Sequence, residues 1–279
     1  MKSHRIARLV AAAPACVLFL LNLHPGYGQA PRQQAWAILQ SGTTDKNSET
    51  RVAAVTVLAL IPGDPRAAGL AVQALNDQDP DVRKAAAGSL GTLKAKSAIP
   101  ALRNALKDQD GNVVLAAAHA LVMTGSETGY GVYYALVTGE RKSGESLIGS
   151  QEQEVDQMLH NPKGMAEMAF EQGIGYAPFG GIAWGAYQKF HSSENQELVV
   201  KATAVKMLAK DPDPRSGTAL VNATGDSHWE IRAAAYDAIA RRGDSSLLPQ
   251  ITKGLNDDKD VARLTAAAAV AQLSTLPKK

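Results

Sequence analysis

The chain has 279 residues, 29 of them basic and 27 acidic, with 45% hydrophobic but only 5% aromatic side chains. So even a balance of charge argues against a nucleic-acid surface, which draws on clustered Lys and Arg, and a single cysteine excludes an internal disulfide framework. The length suffices to bury a substantial core, and abundant alanine with sparse aromatics suits thin layers of close-packed helices.

The first thirty residues read as an address. Lys2, Arg5 and Arg8 precede an almost wholly apolar run from Leu9 to Leu23. His24-Pro25-Gly26 breaks that run just before the small residues Gly26, Gly28 and Ala30. Positive end, short apolar stretch, helix breaker and small-residue cut site are the order of a secretory signal peptide. The apolar run falls short of the roughly 20 residues a spanning helix needs. Cleavage is expected after Gly28 or after Ala30. The second would leave Pro31, with its rigid ring and missing N–H, at the first mature position. Cys16 lies inside the apolar run, not after it as a lipid-anchored cysteine would, so the mature chain is expected to carry no cysteine. Subtracting the three leader cations leaves 26 basic against 27 acidic residues, a net charge of −1.

The remainder repeats with a fixed step. Asp77 is followed by Asp108, and Asp226 by Asp257, 31 residues on in each case. Val82 recurs as Val113, and Val200 as Ile231 and Ala262. Eight positions after those marks stand Leu90, Leu121, Leu208, Ile239 and Val270; an earlier copy carries Thr50, Arg51 and Leu58. A period in this range signals a stacked-repeat architecture. Each copy reads as two helices. Val82, Ala86, Leu90 and Leu93 form one stripe at helical spacing, and Lys94 to Ser97 make a polar turn. Ile99, Leu102 and Leu106 form a second stripe with Pro100 in its first turn, where a missing N–H costs nothing. Two short helices cannot bury their faces alone, so the copies must stack and share a core. The alanine runs 85–87, 116–118, 233–235 and 266–269 allow close approach.

The pattern Asp-x-x-Val-Arg-x-x-Ala-Ala, then Leu-Gly, then Pro-x-Leu resembles the short HEAT-like repeat of the phycobilisome-lyase type, most clearly over Asp77–Leu106 and Ser227–Leu255. The resemblance covers residues 46–138 and 196–275 and implies an all-α solenoid, a right-handed superhelix of helix pairs. It also implies structural bonding along the stack between a turn aspartate and a following arginine, here Asp77 with Arg83, Asp226 with Arg232 and Asp257 with Arg263. The third copy departs with Val114 in the arginine position, and the fourth with Lys201.

Groups for chemistry are scarce. His119, His160, His191 and His228 lie at no helical ligand spacing from one another, and no Cys cluster offers a zinc site. Some HEAT-like proteins hold di-iron through His-Glu pairs; His228-Trp229-Glu230 is the nearest approach here. Gly144-Glu145-Ser146-Leu147-Ile148 lacks the second glycine of a hydrolase elbow, and no Gly-rich turn ends in Gly-Lys-Ser/Thr. Glu152, Glu154 and Asp156 alternate with glutamines as a solvated helix face does. No catalytic residue, metal site or cofactor is therefore assigned.

Val113 and Val200 are equivalent yet 87 residues apart, so about 56 residues are inserted near 140–195. A flexible opening at 138–145 leads to a predicted helix from Gln151 to His160, ended by Asn161-Pro162. Six of the chain's fourteen aromatics then fall between Phe170 and Phe190, with Gly173, Ala177, Gly181 and Gly185 four apart. Three roles compete for this stretch. It closes a local core, it presents a partner surface through Phe179, Trp184 and Tyr187, or it contacts a membrane through 173–190, where Pro178 breaks a run too short to span.

The expected organisation is a signal peptide at 1–30, HEAT-like repeats at 31–139, the aromatic and Gly-rich insert at 140–195, and further repeats at 196–279. The expected function is that of an exported, periplasmic or extracellular, non-catalytic scaffold binding protein partners. An enzyme or lyase-type subunit using a groove beside the insert is the alternative.

Overall fold

The computed structural model describes residues 29–138 and 196–277, and within them every regular element is a helix. In chain order these are α1 (Gln29–Gly42), α2 (Ser48–Val57), α3 (Pro65–Ala74), α4 (Pro80–Thr92), α5 (Ile99–Ala105), α6 (Gly111–Met123) and α7 (Thr128–Thr138). After the insert come α8 (Gln196–Met207), α9 (Pro214–Ala223), α10 (Trp229–Arg242), α11 (Leu248–Ile251) and α12 (Asp260–Leu273). Short 3-10 turns, among them Leu58–Leu60, Leu208–Lys210 and Thr252–Asn256, extend several of them.

The acidic turns set where helices start. Asp45, Asp77, Asp108, Asp226 and Asp257 each accept the N–H two residues on at 2.8–3.0 Å. Asn47, Asp79 and Asp110 then cap the following helix through a second such bond at 2.8–2.9 Å. Proline follows the cap at Pro65, Pro80 and Pro214, where its fixed φ suits the first turn.

The long helices α2, α4, α6, α8, α10 and α12 stack side by side, and the short ones form a second layer against them. Val82, Ala86 and Leu90 are fully buried, as are Leu102 and Leu106 of the second helix, while Leu93 and Ile99 are half-buried. Neighbouring copies approach closely enough for the Ser89 hydroxyl in α4 to donate to the Val55 carbonyl in α2 at 2.8 Å. The molecule is an α-solenoid.

Its spatial order is not the order of its sequence. α8 packs on α10 and α10 on α12; α12 then packs on α2, which is followed by α4 and α6. The C-terminal block thus precedes the N-terminal block in the stack. The joint is completed by α1, which lies against both α12 and α2. This is the second-layer place that α11 and Thr252–Asn256 take beside α12 on its other side. One repeat is therefore built from both ends of the described chain: its first helix is α12 and its second is α1. The close fit shows at Gly42, where a Cβ would stand 2.7 Å from Leu264 Cδ2 and 2.9 Å from Ala54 Cβ. α12 sits at the centre of the stack, with every residue from Leu264 to Leu273 buried. Leu58–Leu60 touches both α12 and α10, closing the remaining side.

Candidate interaction surfaces

The repeated charges join copies to one another. Arg51 donates through Nε and Nη2 to both oxygens of Asp77, at 2.8 and 2.7 Å, and through Nη1 to the carbonyls of Asp45 and Lys46. Arg83 repeats this with Asp108 at 2.7 and 2.8 Å and the carbonyls of Asp77 and Gln78. Arg232 repeats it with Asp257 at 2.7 and 2.6 Å and the carbonyls of Asp226 and Ser227. The pairing implied by the family resemblance is thereby corrected. Arg83 meets Asp77, and Arg232 meets Asp226, only through the backbone; each carboxylate partner lies one copy further on. The reason is the planar guanidinium, whose Nη1 corner faces its own turn while the Nε–Nη2 edge faces across the joint. Lys201 makes a single contact with Asp226 at 2.5 Å.

These contacts depress the acids. The Arg51 hydrogen bonds hold Asp77 below the ordinary carboxylate range. Burial pushes Asp108 and Asp257 upward, but Arg83 and Arg232 outweigh it and both end low. Burial likewise acts on Asp226, yet Lys201 and His228 bring it down to about 2.

The rung is missing at the seam between the blocks. Arg263 bonds the Asp257 carbonyl at 2.7 Å and then turns to Asp260 of its own helix. Across the seam Thr50 Oγ1 reaches the same carboxylate at 3.4 Å. Trp36 and Leu39 of α1 are buried, and the Arg66 guanidinium lies 4.0 Å over the Trp36 ring.

A second set of equivalent positions lies six residues after the Val82 mark, and two of its members, Lys206 and Asp237, interact. Gly88 occupies that position in α4 and faces open space. The same position holds His119 in α6, Lys206 in α8, Asp237 in α10 and Ala268 in α12. Asp237 is 4% exposed and accepts from Arg241 Nε at 2.9 Å. Burial brings the Lys206 amine down to about 8, with Asp237 opposing the shift and Arg241 adding to it. His119 is half-buried, and burial lowers it too. This cluster was open to detection, because Lys206 and Asp237 stand one period apart.

The two ends of the stack differ. At one, α7 packs over α6, with Gly129 against the Ala118 carbonyl and Val122; Tyr130 on its outer side is 58% exposed. At the other, α8 packs on α10, and Val200 and Met207 are 65% and 54% exposed. Val200 therefore departs from its repeat equivalents Val82, Val113, Ile231 and Ala262, all fully buried. They face the preceding long helix, whereas the described packing partner of α8 lies on its opposite side.

Phe179, Trp184 and Tyr187, the insert at 140–195 and the leader up to residue 28 lie outside the described residues. Among the described residues no helix is long and apolar enough to cross a membrane, and no group of three or more His, Cys, Asp or Glu could hold a metal ion.

The sequence matches the family described as HEAT repeats over residues 68–132 and 188–271. No curated protein matches it. One similar solved structure is the complex of CpcE and CpcF of phycocyanin lyase from Nostoc sp. PCC7120, 20% identical over 93% of this chain and 90% of that one, with a TM-score of 0.33. Another is an engineered protein, 19% identical over 88% and 97% of the two chains, with a TM-score of 0.30.

Proposed function

The chain belongs to the HEAT-repeat family, and on that premise we propose that it is an exported, non-catalytic scaffold that binds other proteins. The observation that carries this reading is the ladder. Arg51, Arg83 and Arg232, the charges that recur with the period, each bond the carbonyls of their own turn and, through a two-pronged contact, the aspartate of the next copy. The repeated chemistry of the sequence thus maintains an extended surface, and such stacks present that surface to partners. Specificity is assigned to Phe179, Trp184 and Tyr187, large stiff anchors of the kind that dominate binding energy.

Export rests on the basic, apolar and small-residue order of the leader. Amino-terminal sequencing of the protein from its envelope or medium fraction should read from Gln29 or Pro31; an intact Met1 there would refute cleavage of the leader, and absence of the protein from both fractions would refute export. Binding is tested by capture of partners on the mature chain with and without Trp184→Ala. The change should weaken binding by about 2 kcal/mol or more while the melting temperature stays put. A large fall in melting temperature with unchanged affinity would instead make Trp184 a core residue.

One observation favours an enzyme or lyase-type subunit as the second reading. An amine that titrates near 8 beside Asp237 is a stronger nucleophile at neutral pH than an ordinary lysine. Lys206→Met would abolish any turnover under that reading and leave partner capture intact under the first.

A further inference from the structure

The strongest unassigned feature is the exposed leading face of α8, at the end of the described stack. Val200, Ala204 and Met207 fall on one face of α8 at helical spacing, and all three are exposed. In α4 the equivalent residues are Val82, Ala86 and Ser89, at most 4% exposed, and they receive α2. The face thus has the shape and chemistry of a helix-stacking surface. Resting on the scaffold reading above, we propose that it docks one amphipathic helix of a partner protein, with a small-residue apolar stripe flanked by acidic side chains.

A further HEAT copy fits this place poorly. Every ladder rung ends on an aspartate six residues before the Arg83-equivalent position of its copy, as Asp77 stands before Arg83, Asp108 before Val114 and Asp226 before Arg232. Six residues before Lys201 stands Asn195, which offers no carboxylate to an incoming arginine. At the opposite end Val114 replaces the arginine, and α7 covers the trailing face of α6. A second copy therefore brings neither a matching charge nor an open trailing face.

Charge selects the partner's flanks. Lys201 and Lys210 are the exposed cations of α8 and its 3-10 extension, whereas Lys206 is largely buried beside Asp237. The Lys201 side chain is 53% exposed even while bonded to Asp226, and Lys210 is exposed. A helix of about 12 residues, some 18 Å long, would match α8 in length, and its stripe of Ala or Ser would sit against Val200 and Met207.

The test uses the full mature chain, whose sequence after the leader contains no cysteine. In Met207→Cys, the introduced thiol is reacted with a maleimide, and a synthetic helical peptide with an Ala/Leu stripe and Glu flanks serves as the probe. Labelling should be fast in dilute protein and slowed about tenfold or more by the peptide. A Lys-flanked version of the peptide, or the same probe on a Val200→Asp background, should give little protection. Val200→Cys serves as the second reporter if the first variant loses its helical circular dichroism. Slow labelling in dilute, peptide-free chain would mean that the chain's own residues cover the face, and the proposal falls. Protection that grows with protein concentration would make a second copy the occupant and overturn it equally. Indifference to both peptides would also overturn it, whereas partner capture that still depends on Trp184 would leave the scaffold reading standing.

Discussion

Arg51 and Asp77 meet edge to edge across the joint between α2 and α4, through parallel N–H···O bonds of 2.8 and 2.7 Å. Their side chains are 7% and 13% exposed, so each charge depends on the other for its solvation. Arg51→Ala should strand a mostly buried carboxylate and cost about 3–5 kcal/mol, read as a shifted urea midpoint with unchanged slope. Arg51→Lys should recover part of this, because an ammonium lacks the two-pronged fork. A loss of less than about 1 kcal/mol in the alanine variant would mean the rung behaves as an exposed surface pair.

The rungs also fix how the fold responds to acid. Asp77, Asp108, Asp226 and Asp257 all titrate lower in the folded state than their ordinary 3.8, with Asp226 at about 2. A depressed carboxyl contributes stability that is complete above the unfolded value and disappears as pH falls through the folded one. Stability attributable to these acids should therefore be level from about pH 7 to 5 and fall between about 4 and 2. Denaturation midpoints measured across that range check it. A decline already complete by about pH 5 would assign acid sensitivity to other groups.

Much of this scaffold was legible in the sequence. The 31-residue step located the long helices, and Val82, Ala86 and Leu90 were recognisable as core from their spacing alone. The rung partners were not, because spacing shows that an Asp and an Arg recur without showing which copy's carboxylate an arginine reaches. The spatial order of the blocks was hidden for a related reason. Stacking positions such as Ala86, Ala235 and Ala266 are chemically alike, so any long helix suits any neighbour, and the pattern does not encode which block comes first. Only the departures carry that information: Val114 and Asn195, which interrupt the ladder, mark the two ends of the stack.

Lys206 supplies a pH test of opposite sign. Its amine is brought from 10.5 to about 8 in the folded protein, mainly by burial. Between those values the unfolded chain holds a proton that the folded chain has released, so stability should rise with pH from about 8 to about 10. Lys206→Met, which keeps the stem and removes the charge, should abolish that rise. It should also leave the protein at least as stable near pH 7, since it relieves the desolvation of the ammonium. Urea titrations of both proteins at pH 7, 8, 9 and 10 decide the matter, and parallel curves would place the amine in water.

The seam between α12 and the α1–α2 pair gives the last expectation. Elsewhere a described joint carries an ion pair from one copy to the next, but here Arg263 folds back onto Asp260. Cohesion must then come from apolar fit among Trp36, Leu39, Ala54 and Leu264, all buried. Gly42→Ala should disturb that fit strongly, because its Cβ would meet Leu264 Cδ2 at 2.7 Å and Ala54 Cβ at 2.9 Å. A cost of about 1–3 kcal/mol is expected, as for other overpacked cores. The location of the effect is more telling than its size. If α1 completes the repeat that α12 begins, amide-exchange protection should fall together in α1, α2 and α12, elements more than 200 residues apart in sequence. Protection lost in α1 and α2 alone, with α12 as protected as before, would show that the two blocks stand independently and that the composite repeat does not hold them together.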